Sequence, residues 1–327
     1  MTKHQWTRLF QLLVTVAILC WVFSDPMLRT EMWTVVKTAD PSWLLLGLMV
    51  GAIGDLSNIV RWGIFLRVQG IDTPWPRIAR VFLAGLFFNL ILPGSTGGDV
   101  VRLLYMVREE HLKKTAVVLS VLVDRLIGLL VLIPFAFIVV WFRYDWLSQT
   151  PLAEALLLFL IAFLAISTVV LVGASIISYT RLLTKLPEKF PFRERIVKIS
   201  DAYHLFTHHW KATLLAILLS IPVMFTYFGV FYCAARAFKA GVSLLDLFSI
   251  MPVIAVITSF PISFSGLGVR EKLFENLLSD LAGTPAGIAV LVSLTGFIIY
   301  VVLSLVGGLF YLSMTPSTRE EAKHEMF

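Results

Sequence analysis

Charged side chains are scarce in this sequence. Asp, Glu, Lys and Arg make up 15% of its 327 residues, where a soluble domain carries roughly 25%. With so few, a soluble globular domain is excluded. Cysteine is scarcer still: Cys20 and Cys233 both lie inside apolar stretches, so neither a disulfide framework nor a thiolate metal site is expected. The sequence has no P-loop, no G-x-G-x-x-G, no G-x-S-x-G and no H-E-x-x-H. Nothing therefore points to those nucleotide, dinucleotide, serine-hydrolase or zinc-protease chemistries.

What is present is hydrocarbon. The chain is 58% hydrophobic with a mean hydropathy of +0.87, and the apolar residues fall into blocks at 9–23, 43–66, 81–92, 116–142, 153–179, 212–237, 244–260 and 286–312. A bilayer core about 30 Å thick takes roughly 20 helical residues to cross. Six blocks meet that requirement, the first with help from its flanks. Lys3 and Arg8 ahead of the first block resemble a signal peptide. No small-x-small site follows, however, and Leu19 before Cys20 does not suit lipoprotein cleavage, so a retained first helix is expected.

Blocks 81–92 and 244–260 run into helix-breaking clusters, Pro93-Gly94-Ser95-Thr96-Gly97-Gly98 and Pro261-Ile262-Ser263-Phe264-Ser265-Gly266-Leu267-Gly268. Unwound backbone at membrane depth survives only inside protein or beside a wet cavity, so both are expected to be re-entrant hairpins. With the N-terminus inside, this arrangement puts 18 Lys and Arg on the cytoplasmic side against 7 outside, the bias that orients membrane proteins. Pro93 is followed by Gly98, Val101 and Arg102 at the same spacing as Pro261 by Gly266, Val269 and Arg270. Span parity places the two hairpins on opposite sides. The expectation is an all-α integral membrane protein: a polytopic helical bundle of six full spans plus two re-entrant hairpins, related as an inverted-topology repeat. It forms a single transmembrane domain over 1–327. Residues 1–150 hold the cytoplasmic-side hairpin 81–110, 151–314 hold the outer-side hairpin 244–283, and 315–327 form a cytoplasmic tail.

Ionisable groups inside hydrocarbon are costly and mark functional candidates. Asp124 and Arg125 fall about halfway through their span and, as neighbours about 100° apart, reach different partners. Arg125 is expected to pair with Asp99 or with a lipid phosphate; a structural ion pair is the competing reading. Asp55, Asn58 and Arg61 recur at i, i+3 and i+6 and form one polar stripe facing the interior, with Arg61 near enough to the cytoplasmic end to snorkel. Asn89 is placed to hydrogen-bond the frayed backbone of the first hairpin.

At the hairpin tips, free helix N-termini suit an anion. Asp99 is expected to cap the first tip and to hold Arg102 or Arg125. The second tip, with Ser263, Ser265, Gly266 and Gly268 and no acid before Glu271, is the better phosphate candidate, with Arg270 beside it. Glu271 joins Asp99, Asp124, Asp55, Asn58, Arg61 and Asn89 as a candidate for the central polar, charge-balancing set; it shares a helix face with Glu275, and lining the outer rim is the competing reading. The 181–211 loop carries seven Lys and Arg and suits an interfacial segment on an anionic leaflet. His204 and His208 in that loop lack further ligands, so no metal is expected. The sequence pI of 9.4 follows from membrane topology and implies no nucleic-acid partner.

The run from Asn89 through Pro93, Gly97, Gly98 and Asp99 to Arg102, then Asp124-Arg125-x-x-Gly128, together with Pro261 to Glu271, resembles the lysylphosphatidylglycerol synthase transmembrane region. This is also called the flippase-like domain family and is related to UPF0104-like inner-membrane proteins. The resemblance implies an inner-membrane protein that moves a phospholipid or a polyprenyl-phosphate-linked lipid between leaflets. The chain ends about fifteen residues after its last apolar block, so no aminoacyl-transfer domain and no synthase activity are expected.

The reading is a lipid transporter and not an enzyme, with no cofactor. Arg102, Arg125 and Arg270 hold the phosphate, and Asp99 and Asp124 balance them or carry coupling protons. A scaffold for a lipid-modifying enzyme partner is the alternative, and an intramembrane lipid-phosphate enzyme with Asp124 or Asp99 as base is the third reading. The expected partners are membrane lipids with an anionic or phosphate-bearing headgroup.

Overall fold

Ten α-helices are built by the residues described in the computed structural model, which are 26–90, 97–109, 113–179, 209–260, 262–312 and a few isolated positions between 13 and 24. The helices are α1 (Pro26–Val36), α2 (Pro41–Val68), α3 (Trp75–Asn89), α4 (Gly97–Glu109) and α5 (Lys114–Leu147). They continue with α6 (Pro151–Tyr179), α7 (Trp210–Ala237), α8 (Leu244–Ser259), α9 (Val269–Ala282) and α10 (Ala286–Leu312). Five of them, α2, α5, α6, α7 and α10, are long and apolar enough to cross a membrane. The protein is an all-α polytopic membrane bundle. The expected first span at 9–23, the first hairpin tip at 93–96, the basic loop with His204 and His208, and the 315–327 tail lie outside the described residues.

Local signals set the helix boundaries. Pro41 opens α2, where its missing N–H costs nothing, and the Asp40 carboxylate accepts from the Ser42 amide at 2.9 Å and from its hydroxyl at 2.6 Å. These bonds hold the Asp40 carboxyl below the usual carboxylate range. Ser243 caps α8 by accepting from the Asp246 amide. Left-handed Gly283 closes α9. Pro134, Pro222 and Pro252 sit inside α5, α7 and α8, as is tolerated where neighbouring helices re-satisfy the freed backbone.

The helices are inside-out relative to a soluble protein. On α2, Leu45, Met49, Ile53, Leu56 and Val60 form the exposed face, while Gly47, Gly51, Gly54, Arg61 and Trp62 are buried. Lipid satisfies the apolar face, so the interior is free to hold small and polar residues. The glycines let α10 and α7 approach: a methyl on Gly51 would meet Leu303 of α10 at 2.6 Å, and one on Gly54 would meet the Thr226 hydroxyl of α7 at 2.5 Å. The α2–α7 contact is the largest between any two helices. Helix α3 lies on α10, with Leu83 and Phe87 against Gly307 and Gly308. Two apolar cores result, one built around α7, α8, α9 and α10 and the other around α2, α3, α4 and α5.

Candidate functional site

Between α2, α4, α5 and α7 the bundle holds a chain of alternating charges. Arg61 of α2 donates through Nε to Asp124 Oδ1 at 2.7 Å and through a terminal nitrogen to the Ser220 hydroxyl at 2.9 Å. Asp124 Oδ2 accepts from Arg102 at 3.2 Å, and Arg102 also donates to Asp99 Oδ1 at 3.1 Å. The other Asp99 oxygen accepts from Arg125 Nε at 2.5 Å. Arg61, Arg102 and Asp124 are all buried, whereas the Arg125 side chain is 44% exposed. Three guanidiniums meet two carboxylates, leaving one net positive charge. Arg61 is thus drawn into the interior and does not snorkel.

Arg102 is the hinge of this cluster. Its guanidinium lies over the rings of Trp62, at 4.2 Å, and Phe82, at 4.7 Å, an arrangement that stabilises a cation in low dielectric. The Trp62 indole is held in turn by the Ser120 hydroxyl at 3.2 Å. Among the described residues the buried Nε–H of Arg102 has no hydrogen-bond partner, so one donor remains for an incoming acceptor.

Among the described residues no backbone N–H of α4 donates to Asp99. Its carboxylate turns to the two arginines, and the Gly98 N–H instead donates to the Asn89 side-chain oxygen at 2.6 Å. The chain can fold back this tightly because Gly85 and Gly98 touch backbone to backbone; a methyl on Gly85 would sit 2.9 Å from the Gly98 carbonyl oxygen.

A second charged site lies on α9. Arg270 donates to the Ser293 hydroxyl at 3.3 Å and to Glu271 Oε1 at 3.3 Å, and Ser293 donates to the same Glu271 oxygen at 2.8 Å. Glu271 is fully buried, not at a rim, and its other oxygen accepts from the Gly268 N–H at 2.5 Å. The tip expected to be free of acid is therefore capped by Glu271 reaching back three residues, as a carboxylate in the first helical turn commonly does. Glu275 pairs with Lys272 at 2.6 Å instead of sharing the Glu271 site. Ser263 is buried, and its hydroxyl lacks a partner among the described residues. Ser265, Gly266 and Gly268 all take positive φ; for a serine this costs on the order of 1 kcal/mol. The turn brings the Ser265 hydroxyl to the Asn89 carbonyl oxygen at 3.4 Å, so the two interrupted segments touch.

Several contacts of the two sites recur at matched spacing. Arg102 bonds Asp124 and covers Trp62; Arg270 bonds Ser293 and covers Phe231 at 6.0 Å. Gly98 packs on Asn89, and Gly266 packs on Thr258. Every partner is offset by 168 or 169 residues. The helix order around each, one long, two short, one long, is also the same.

Asp55 and Asn58 are half-buried on α2 and join neither cluster. The α2 stripe joins the charge cluster only through Arg61. Sequence reasoning missed Trp62, Ser220 and Ser293. Trp62 looked like one more apolar residue, and hydroxyls in helices ordinarily satisfy themselves on the preceding turn, as Ser220 also does on Ala216. Among the described residues no group of three His, Cys, Asp or Glu side chains is arranged to hold a metal.

This buried arginine–aspartate arrangement sits in a sequence that matches the family described as the lysylphosphatidylglycerol synthase TM region over residues 8–308. The chain belongs to that family. Two relatives show the likeness over most of both chains. A UPF0104 membrane protein of Methanocaldococcus jannaschii is 21% identical across 98% of this chain and 96% of its own length. A UPF0104 membrane protein of Pyrococcus horikoshii is 24% identical across 85% of this chain and 89% of its own.

Proposed function

We propose that this family member is a lipid transporter of the cytoplasmic membrane, carrying a phospholipid or a polyprenyl-phosphate-linked lipid between leaflets. The observation that carries the reading is the unpartnered Nε–H of buried Arg102, in a cluster whose one guanidinium in excess, Arg125, is half-exposed at its edge. A lipid phosphate supplies both the missing charge and the missing acceptor. Arg102 and Arg125 engage it on one side, and Arg270, Ser263 and Ser265 engage it on the other, with the turn at Gly266 and Gly268 admitting close approach. Asp99 and Asp124 hold the guanidiniums when the site is empty, and Asn89, Asn58 and Glu271 shape its walls.

Six spans and two opposed re-entrant segments, with both termini cytoplasmic, form the architecture within which the cluster alternates between leaflets. The matched contacts of Arg102 and Arg270 support the repeat. The chemistry is movement without bond breaking, so no cofactor and no enzymatic step is assigned.

The test is translocation of labelled lipids by purified protein in liposomes, run across several headgroups. Movement above the empty-vesicle rate that falls at least tenfold in Arg102→Gln supports transport; wild-type movement at the empty-vesicle rate for all headgroups refutes it. A second reading, a scaffold that presents lipid to a modifying enzyme, is favoured by the carboxylate pairing of every cluster arginine. It predicts that Arg125→Ala impairs folding or partner recovery with no separable transport defect. Single cysteines at Ser95 and Ser265, in a background lacking Cys20 and Cys233, test the hairpins. Labelling from opposite sides supports two wet tips, and inaccessibility of both refutes them.

A further inference from the structure

Asp55 differs from the other interior acids. It is the fifteenth of the 28 residues of α2, at the middle of a membrane span. Asp99, Asp124 and Glu271 each bond a guanidinium, yet no hydrogen bond or ion pair reaches the Asp55 carboxylate among the described residues.

Its neighbours define where it faces. Gly51, one turn away, packs on Val230 of α7 and Leu303 of α10, and Gly54 packs on Thr226. Asp55 is therefore turned toward the groove between α7 and α10. Tyr300 of α10 lies within electrostatic reach of both Asp55 and Arg270, and Arg270 also reaches Tyr227 of α7. The two tyrosine rings are 5.6 Å apart. From α5 the nearest charged pair is Asp124 with Arg61, two turns along α2, about 9 Å away; α3 is not seen to bring a charged group to Asp55. Asp55 thus lies on the face of α2 whose electrostatic reach extends to Tyr300, the phenol that Arg270 also reaches.

The interior charge count makes this placement consequential. Across the two sites, buried Arg61, Arg102 and Arg270 and half-exposed Arg125 stand against Asp55, Asp99, Asp124 and Glu271, four guanidiniums to four carboxylates. With Asp55 ionised the interior is neutral, and an entering phosphate monoanion would leave it negative. With Asp55 protonated the interior carries one positive charge, which the same anion neutralises. An unpaired carboxylate in hydrocarbon is also costly, and a proton removes that cost.

We propose that Asp55 is a proton-binding site coupled to the phosphate site, so that one proton travels with one anionic lipid headgroup. Hydronium protonates the Asp55 carboxylate, giving the neutral acid and water, and the reverse step releases the proton on the other side. Linkage makes the coupling reciprocal: bound phosphate raises proton affinity as much as a bound proton raises phosphate affinity. The coupling rests on the transporter reading, whereas the proton site can be detected without transport.

Two experiments separate these. In vesicles of phosphatidylcholine and phosphatidylglycerol, with the membrane potential clamped, a gradient of about one pH unit should drive labelled phosphatidylglycerol toward the alkaline-side leaflet by about tenfold for one proton per lipid. Asp55→Asn should give a leaflet ratio of about 1. A wild-type ratio of about 1 despite measurable translocation, or a tenfold ratio retained in Asp55→Asn, overturns the coupling. Failure of wild type to move any lipid instead refutes the transporter reading. The proton site is then decided by infrared difference spectroscopy of the purified protein. A protonated-carboxyl band that grows on acidification, grows further at fixed pH when soluble dihexanoyl phosphatidylglycerol is added, and is missing from Asp55→Asn supports it. A band unchanged in Asp55→Asn, or no band at all, overturns it.

Discussion

Replacing Asp124 by alanine should be among the most damaging single changes in the protein. Among the described residues Asp124 alone bonds both Arg61 and Arg102, at 2.7 and 3.2 Å, and all three side chains are at most 8% exposed. Removing one partner of a buried ion pair typically costs about 3–5 kcal/mol, because the remaining charge stays desolvated and unpaired. Arg102 keeps Asp99 at 3.1 Å, whereas Arg61 keeps only the Ser220 hydroxyl, so most of the cost falls on Arg61. An expected loss of about 3–5 kcal/mol corresponds to a fall of roughly two to three and a half decades in the folded ratio. Arg125→Ala removes a half-exposed partner of Asp99 and should cost only about 0–1 kcal/mol. Equilibrium unfolding in mixed micelles reads both values. The double variant Arg61→Met with Asp124→Leu removes the stranded charge and should recover most of the loss, since replacing a buried pair by apolar groups is often neutral. The reasoning fails if Asp124→Ala unfolds within about 0.5 kcal/mol of wild type, or if the double variant is as unstable as the single.

Three further outcomes follow from individual contacts. Gly98→Ala places a methyl against the Gly85 carbonyl oxygen and the Asn89 amide and should destabilise by about 1–3 kcal/mol, read as a lowered unfolding midpoint; wild-type stability would mean that α3 and α4 are not in backbone contact. Glu271→Gln keeps the shape but removes the charge opposite Arg270, and should cost less than Glu271→Ala, which also strands the Gly268 N–H and the Ser293 hydroxyl; equal losses in the two unfolding curves would remove the capping role. The Asp40 carboxyl is depressed by its Ser42 bonds, so its contribution is full above the ordinary value of 3.8 and is lost as pH falls through the lowered folded value; the stability difference between wild type and Asp40→Ala should accordingly shrink on acidification below about pH 4, and a difference constant down to pH 2 would contradict it.

How far these features can be read from the sequence depends on whether the signal is local. Long apolar blocks, Pro41 behind Asp40 and the two helix-breaking clusters are local, and the helices fall close to where those signals put them. The i, i+3, i+6 spacing of Asp55, Asn58 and Arg61 puts them on one face of α2, but it does not say that Arg61 leaves its stripe for Asp124 on α5. That partnership spans 63 residues of chain and depends on how closely α2 and α5 pack. The Glu271 cap was missed for a different reason. Without knowing that the helix begins at Val269, Glu271 and Glu275 read as one acidic face; once the start is fixed, Glu271 falls in the first turn and is drawn to the free N–H of Gly268.

The matched contacts also show why the first site is richer in charge than the second. At the position where α5 supplies Asp124 to Arg102, α10 supplies Ser293 to Arg270, so the second site replaces an ion pair by a hydroxyl and takes its acid from the adjacent Glu271. A carboxylate next in sequence to its arginine moves with the same helix and keeps the pair together whatever α10 does. Asp124 lies on a different helix from both Arg61 and Arg102, so separating α5 from α2 or α4 must break a buried bond. The first site is therefore the one whose charges are exposed when helices move, and the second is self-contained. A phosphate that replaces Asp124 as the partner of Arg102 would lower the cost of that separation. On the proposed transporter reading, the gating contact would therefore lie in the α2–α4–α5 cluster, with α9 as the fixed wall against which it works.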